Sequence, residues 1–452
     1  MTEAPTGNAV TTDTVLALLD AAPGSDRDSL LRTARDGRHK LAGTLLSLWA
    51  VSGEELTDGQ AAELRTARER VDRYRRVWEE LQEHAPDAFP LKGATIAALY
   101  PPGVLRSAGD LDAICPRHAD LWACARHLLA CDWELVAFTV GPAHPGDTVS
   151  PHLGAEFRKP APDASQDPYA VGLFTAEIVT DVHGPARQLA RPPGSAWTTS
   201  AVALVAERWE RPFRSRDLLD LVLLLQAMDE EAVRQFGADL DRVGLWPEWR
   251  QAMRGVARLG WRPTVALPYT RAAAVRVRLA RSVRTAVRWS NPVRAAAFAA
   301  QSGIEGRGGR PAALASDLVH RRPGARRLLA SGVPLFGVPL GGGDTAGDTG
   351  SNPPAGARPD DPAGAHPDDP AGARPPAAEP VDGLRLDDVG RHLVARTPLG
   401  SFLLVSGAAR QEWLDEVNGA EPAPRTASAP TGSTAPTGPS STGTSPSGRS
   451  GA

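Results

Sequence analysis

The hydrophobic pattern of the chain changes period twice, and this constrains the fold more than any other feature. Residues 12–84 place apolar side chains at the spacing of amphipathic helices. Residues 90–183 switch to short runs that alternate apolar and polar positions, as strands do, with helical stretches between them. Residues 198–330 return to helical spacing. The sequence therefore predicts an α/β (α+β) protein in which many helices flank a small mixed sheet.

Two segments lack the apolar residues that a core needs. Residues 355–374 repeat the units AGARPDDP and AGAHPDDP, and residues 420–452 are mainly Ala, Thr, Ser, Pro and Gly. Such compositions bury too little apolar surface to offset the entropy of ordering the chain, so we expect both segments to be disordered. Between them, two strands are predicted around Thr397 and Gly400, followed by a short helix. The predicted organisation is a helical segment 1–85, an α/β domain 86–190, a helical arginine-rich part 191–335, a disordered linker 336–380, a small strand–strand–helix unit 381–419 and a disordered tail 420–452.

The composition argues against a membrane-spanning, secreted or disulfide-rich protein. The chain has no run of about 18 apolar residues, so we expect no transmembrane segment. Its N-terminus lacks the basic and apolar regions of a secretory signal. Its three cysteines, Cys115, Cys124 and Cys131, are odd in number and lack paired metal spacing. This pattern predicts a cytoplasmic protein and argues against disulfides and a structural zinc site.

The basic residues are unevenly distributed. Only three of the 50 are lysines, namely Lys40, Lys92 and Lys159, so a lysine weakly indicates a position where arginine would not serve. An arginine block at 250–294 contains no acidic residue. Contact with an RNA backbone and attachment to an anionic lipid surface are its candidate functional roles, and a structural role or a protein partner is favoured over both. A helix within it would carry Arg278, Arg281, Arg284 and Arg288 on one face and Val275, Leu279, Val283 and Ala286 on the other.

The segment LKGATIAALYPPGVLRSAGDLDAI carries the clearest chemistry. Asp110 and Asp112 are separated by one residue, so on a strand both carboxylates lie on the same face. Such a pair suits Mg²⁺ with substrate phosphates, although a solvated pair at a strand end would have the same spacing. Lys92 and Gly93 form a strand-to-helix turn upstream, where backbone N–H groups and an ammonium can approach a phosphate. Arg106 and Ser107 immediately precede the aspartates and could contact further phosphate oxygens.

Acidic residues further along the chain could complete a two-metal site. The run GLFTAEIVTDVH offers Glu177 and Asp181, which share a strand face with His183, although a half-exposed edge strand would look similar. On a downstream helix, Asp217 and Asp220 lie three residues apart. For these two we predict a capping or salt-bridge role rather than a catalytic one.

This segment is similar to the signature of the uncharacterised bacterial nucleotidyltransferase family. That signature has an L-K-G turn, a short helix ending in L-Y, and an R-x-x-G-D-x-D strand, and the resemblance extends over residues 60–230. The family's later acidic-x-His element resembles Asp181 and His183. The resemblance implies a nucleotidyltransferase-like catalytic domain at 86–190. It also implies Mg²⁺ or Mn²⁺ on Asp110 and Asp112, Asp181 as third acid and possible base, and Lys92, Gly93 and Arg106 on the triphosphate.

The predicted function is metal-dependent transfer of a nucleoside monophosphate from an NTP to an unidentified acceptor. RNA, a small molecule and a peptide remain open as acceptors. The alternative is a non-catalytic accessory or binding protein of the same fold, with a specialised-metabolite pathway as one candidate setting. It is favoured by Ala94, because classical members of the superfamily have Gly-Ser where this chain has Gly93-Ala94. The 381–419 unit is a candidate docking module for a protein partner.

Overall fold

The described residues form a mixed α/β structure, as the sequence predicts. The structure is a computed structural model, and it describes residues 10–21, 24–141, 151–179, 187–189, 196–209, 211–258, 272, 275–280, 282–283, 324–330, 334–340, 383–406 and 409–420.

Four helices precede the first strand: α1 (Thr12–Leu18), α2 (Arg27–Arg35), α3 (Ala42–Val51) and α4 (Asp58–His84). Thr57 is the N-cap residue of α4. Its hydroxyl accepts a hydrogen bond from the N–H of Gln60, whose side chain accepts one from the N–H of Thr57. This capping box satisfies two N–H groups that a helix start leaves without partners. No helix in the described part of the chain is both long enough and apolar enough to span a bilayer.

The strands and later helices follow in a fixed order. The segment up to residue 189 contains β1 (Phe89–Leu91), α5 (Gly93–Ala97), β2 (Leu111–Ile114), α6 (His118–Ala130), β3 (Glu134–Gly141), β4 (His152–Lys159), β5 (Tyr169–Phe174), β6 (Glu177–Val179) and β7 (Arg187–Leu189). After it come α7 (Ala196–Ala206), a 3-10 helix (Glu207–Trp209), α8 (Ser215–Ala227), α9 (Glu230–Val243), α10 (Trp246–Arg258), α11 (Ala325–Ala330), β8 (Leu335–Leu340), β9 (Arg385–Val389), β10 (His392–Thr397), β11 (Gly400–Val405) and α12 (Gln411–Ala420).

Nine strands form one mixed sheet in the order β1-β2-β5-β4-β3-β8-β11-β10-β9. All neighbours are antiparallel except β2 and β5, which run parallel with Asp112 opposite Gly172. The sheet is larger than the small one predicted, because β8 pairs with the outer edge of β3 and three C-terminal strands continue beyond it. β6 and β7 form a separate two-stranded sheet.

Helices cover both faces of the sheet. On one face, α4, α6 and α11 bury an apolar cluster that includes Leu121, Phe138 and Phe157. On the other, Ala203 of α7 packs on β1 and on Ile114 of β2. α12 covers the C-terminal strands. The remaining helices form a second core around α3, α8 and α9.

One predicted strand and one stretch of continuous helical spacing are each divided in the structure. The run 172–183, predicted as one strand, breaks after Phe174. There Thr175 donates its N–H to the carbonyl of Leu153, and its hydroxyl accepts from the N–H of Leu153, which ends the pairing with β4. The helical run 215–243 divides at Asp229, whose carboxylate caps α9 by accepting from the N–H of Ala232.

The C-terminal residues extend the same sheet. The 381–419 unit has three strands rather than two, and Leu384, Leu393 and Phe402 belong to the same buried cluster as Phe138. Residues 336–340, which the predicted linker 336–380 includes, belong to β8. The predicted unit is thus packed on the strands that precede it. The other domain boundaries stay predictions, as does a protein partner for 381–419.

Candidate functional site

Five of the residues predicted from the sequence line one cavity of about 260 Å³. They are Lys92, Gly93, Arg106, Asp110 and Asp112. The cavity lies where the start of β2 meets the β1–α5 turn and the chain around the start of α8. Local spacing along one segment therefore predicted residues that the fold brings together.

Asp110 and Asp112 stand at the start of β2, as predicted. Asp110 directly precedes the strand and is exposed, whereas Asp112 is half-buried within it. A β-carbon added to Gly172 would lie 2.7 Å from Oδ1 of Asp112, so this carboxylate extends over the neighbouring strand. Both carboxylates border the cavity, and their oxygens are ligands that Mg²⁺ accepts.

Glu156 is the carboxylate nearest in register to Asp112 across the sheet. Asp112 lies opposite Gly172, which in turn lies opposite Glu156 on β4. Residues opposite each other point to the same face, so Glu156 shares the face of Asp112 at a distance of two strands, about 10 Å between Cα atoms. Glu156 is exposed, and the ring of Phe174 lies over the glycine between the two acids. Glu156 could not be predicted from local spacing, because the strand pairing that places it there is non-local.

The acids predicted on the run after β5 do not lie on the strand beside Asp112. Glu177 belongs to β6, in the separate two-stranded sheet. Asp181 and His183 lie outside the described residues. Asp181 as the third acid therefore stays a prediction.

The turn at Lys92 has an unusual backbone. Its φ of 57° and ψ of −90° are costly for a residue with a β-carbon, and such strain is often found at functional sites. Its N–H donates to the hydroxyl of Ser200 on α7 at 3.0 Å, which helps to hold the turn. The Lys92 ammonium lies 3.2 Å from a carboxylate oxygen of Glu207. Lys92 is thus held at the cavity wall from two sides.

Arg106 is buried in an ion pair, where we had predicted a phosphate ligand. Its guanidinium bonds Asp220 through Nε and a terminal nitrogen at 2.8–3.1 Å, and Tyr100 donates its hydroxyl to Asp220 at 2.8 Å. Burial opposes the charge on Arg106, but the carboxylate of Asp220 outweighs it and raises the pKa of Arg106. The other terminal nitrogen lies 3.4 Å from the carbonyl of Gly93. The salt-bridge role predicted for Asp220 is confirmed.

Four further cations line the cavity, and the sequence did not predict them as part of the site: Lys40, Arg211, Arg214 and Arg216. Arg211 pairs with Glu207 and with Asp217, which also accepts from the N–H of Arg214 and so caps α8. The capping and salt-bridge role predicted for Asp217 is therefore confirmed. The rarity of lysine was the one signal in the sequence, since two of the three lysines border the cavity.

These cations repel one another. Burial, together with Arg214 and Arg216, lowers the pKa of Lys40. Burial and Arg211 lower the pKa of Arg214. In the described part of the chain, neither the Lys40 ammonium nor the Arg214 guanidinium lies within ion-pair distance of a carboxylate. The cavity therefore contains positive charge that an anionic ligand would neutralise.

Ser107 is not among the residues that line this cavity. A β-carbon on Gly43 of α3 would clash with its hydroxyl oxygen, and its carbonyl accepts from Arg216 at 2.9 Å. Ser107 instead lines a second cavity of about 380 Å³, together with Arg70 of α4 and the loop around Gln166. Its predicted contact with phosphate would need a ligand that reaches this second cavity.

The arginine block is described only in part. Arg278 is exposed, and Arg276 pairs with Asp241 at 2.7 Å. Three residues of the predicted apolar face are exposed: Val275, Leu279 and Val283. Arg281, Arg284, Ala286 and Arg288 lie outside the described residues. RNA contact by the 250–294 block stays a prediction.

No protein-family model, no curated protein and no solved structure matches this chain. The chemistry of the cavity is therefore what points to a function.

Proposed function

We propose that the cavity binds the triphosphate of an NTP and that the protein transfers the nucleoside monophosphate to an acceptor, with release of pyrophosphate. The observation that carries this proposal is that two groups of opposite charge line one cavity. Asp110 and Asp112 line it together with a cluster of cations that includes Lys40 and Arg214. A metal-bound polyphosphate satisfies both groups at once.

The carboxylate pair fits a divalent magnesium or manganese ion. Asp110 and Asp112 offer hard oxygen ligands, and the exposed position of Asp110 leaves room for water and phosphate oxygens. When bound, the ion neutralises phosphate charge and orients the phosphate chain. The nucleotidyltransferase-like fold belongs to the same proposal, which rests on the resemblance of the segment around these aspartates.

The cations have separate tasks. Lys40 and Arg214 would contact phosphate oxygens, since no carboxylate in the described residues neutralises them. Lys92 would move its ammonium from Glu207 toward the phosphates, a short displacement at the cavity wall. Arg106 would position other residues rather than bind phosphate. Asp220 holds its guanidinium, which also contacts the carbonyl of Gly93 and so links the segment before Asp110 to the β1–α5 turn.

A third carboxylate would accept the proton of the acceptor group. Asp181 is the candidate from the sequence, and Glu156 is the candidate from the strand register. RNA, a small molecule and a peptide all remain open as acceptors.

The deciding experiment is label transfer from each α-labelled NTP with Mg²⁺ or Mn²⁺, in the presence of host RNA and host extract. We expect label on a product with the wild type and none with Asp110→Ala. Asp388→Asn is a matched control, because this exposed carboxylate lines neither cavity. Retained transfer by Asp110→Ala would overturn the mechanism. Comparison of Glu156→Gln with Asp181→Asn would identify the third acid.

A nucleotide-binding protein without turnover is the second candidate. This candidate is favoured by Gly172, because β5 has a glycine and no carboxylate at the position opposite Asp112. Binding of NTP and Mg²⁺, abolished by Asp110→Ala but accompanied by no transfer to any acceptor, would establish this candidate.

A further inference from the structure

Side chains with metal-binding atoms meet between α4 and α6, on the face of the sheet opposite α7. Glu80 and His84 lie four residues apart on α4, and His127 and Cys131 lie four apart at the end of α6. Residues four apart share one side of a helix, so each helix presents a pair to the other. Glu80 Oε2 lies 3.3 Å from Nε2 of His127, and Sγ of Cys131 lies 3.7 Å from the same nitrogen.

We infer that Glu80, His127 and Cys131 form a site for Zn²⁺ that is separate from the nucleotide cavity. Their three ligand atoms all lie within 4.8 Å of one another. Zinc bonds of about 2.0–2.3 Å in a tetrahedron place oxygen and nitrogen ligands about 3.3 Å apart, and nitrogen and sulfur about 3.6 Å apart. The observed 3.3 Å and 3.7 Å match these edges. Three protein ligands leave a fourth position for water.

His84 supports this geometry from outside the set of ligands. Its Nε2 lies 3.0 Å from Nδ1 of His127, the ring nitrogen that would not face the ion. A hydrogen bond from Nδ1–H of His127 to His84 leaves Nε2 of His127 as the free ligand atom. Histidines that bind metals commonly have their second nitrogen held in this way.

The ligand chemistry selects zinc over magnesium. Imidazole and thiolate are ligands for zinc and related transition ions, whereas magnesium prefers oxygen. Zn²⁺ would bind the Cys131 thiolate, and the thiol proton passes to solvent. With the carboxylate of Glu80, the two negative ligands balance the charge of the ion. Solvent reaches the site, since the Glu80 and His127 side chains are 43% and 20% exposed.

One cation lies close to the site. The Lys159 ammonium donates to the backbone carbonyl of Cys131 at 2.6 Å. It bonds the main chain, so it does not occupy the sulfur atom of Cys131.

The test is titration of the full-length protein, stripped of metal by a chelator, with Zn²⁺ and with Co²⁺. We expect one equivalent of Zn²⁺ to bind at this site, and Co²⁺ to give the charge-transfer band of a thiolate ligand. Cys131→Ser should lose the band, and Glu80→Gln should weaken binding more than His84→Gln does. For His84→Gln we expect a loss of about 10–100-fold.

Two controls keep the test decisive. Glu83→Gln changes an exposed acid on the same helix and should leave Zn²⁺ affinity unchanged. Asp110→Asn/Asp112→Asn should retain the zinc equivalent, which separates this site from the proposed magnesium site. If Cys131→Ser unfolds, the surface variant Glu80→Gln decides. Unchanged Zn²⁺ affinity in Glu80→Gln, or no thiolate band with Co²⁺ in the wild type, would overturn the inference.

Discussion

Asp220 is fully buried and organises the cavity from behind. It bonds Arg106 and accepts from Tyr100, and the remaining terminal nitrogen of Arg106 faces the carbonyl of Gly93. One carboxylate thus joins α8 to both segments that carry the proposed ligands. A buried ion pair contributes little over an apolar pair of the same shape, but loss of one partner leaves a buried charge without compensation.

We predict that Asp220→Asn lowers the free energy of unfolding by about 3–5 kcal/mol, because the buried guanidinium of Arg106 loses its counter-charge. Denaturant unfolding would measure the change. The matched control is Asp388→Asn, whose pair with Arg326 is more than half exposed and should contribute about 0–1 kcal/mol. A loss no larger than that of the control would contradict the role given to Asp220.

Lys40 provides a pH test of anion binding. Burial and the nearby Arg214 and Arg216 lower its pKa in the free protein, and a bound triphosphate would raise it again. At pH values between the lowered pKa of Lys40 in the free protein and its raised pKa in the complex, binding should therefore take up a proton, and the affinity should fall as the pH rises through this range. Calorimetry in two buffers of different ionisation enthalpy would measure the uptake. In Lys40→Arg, which stays charged, the uptake should disappear. Equal proton uptake in both proteins would show that a group other than Lys40 binds the proton.

At the scale of elements, β5 has a glycine beside Asp112, and the carboxylate of Asp112 occupies the space that a larger side chain would fill. Gly172 has no side chain where a β-carbon would meet Asp112 and the ring of Phe174 at 2.6–2.7 Å. The strand therefore packs beside the carboxylate pair without displacing it. Gly154 on β4 gives a close comparison, because a β-carbon there would crowd Phe174 and Thr139 but not Asp112.

We predict that Gly172→Ala weakens NTP–Mg²⁺ binding at least about tenfold, whereas Gly154→Ala leaves it near the wild-type value. Both variants should lose about 1–3 kcal/mol of stability through overpacking around Phe174. Equilibrium binding and denaturant unfolding of the two variants would separate the effects. Equal affinities would show that Asp112 does not depend on the space above Gly172.

The sequence predicted the elements whose signals are local. The β1–α5 turn and the β2 aspartates lie within one short segment, so spacing alone placed them at one site. Arg106 was assigned to phosphate because its partner Asp220 comes from a helix far along the chain. Glu156 and the zinc ligands depend likewise on contacts between distant elements. The strand after Phe174 was predicted too long, because the hydrogen bonds that end it come from Leu153.

At the scale of the whole molecule, the sheet joins strands that lie far apart in the sequence, from β1 at residues 89–91 to β11 at residues 400–405. β8 pairs with β3, and β9–β11 continue the sheet outward. Phe402 of β11 packs on Phe138 of β3, with ring centroids 4.7 Å apart. The C-terminal strands therefore contribute to the core that also supports β2.

We predict that a chain ending at residue 340 unfolds at lower denaturant than the full chain and self-associates. Truncation there removes Leu384, Leu393 and Phe402 from the core and leaves the edge of β8 unpaired. A chain ending at residue 420 keeps every described strand and should unfold with the full-length protein. Unfolding curves and light scattering would measure both effects. Equal midpoints for the two truncations would mean that the last three strands are separable.

The strand order also determines when each strand can pair with its neighbour during synthesis on the ribosome. β1 to β5 emerge together, but β8, the partner of the outer edge of β3, follows roughly 160 residues after β5 ends. At about 5–20 residues per second, roughly 8–32 s pass between the synthesis of β5 and that of β8. Throughout this interval β3 offers its open edge to neighbouring nascent chains, so the rate of translation, as well as the finished fold, governs how much protein reaches the native state.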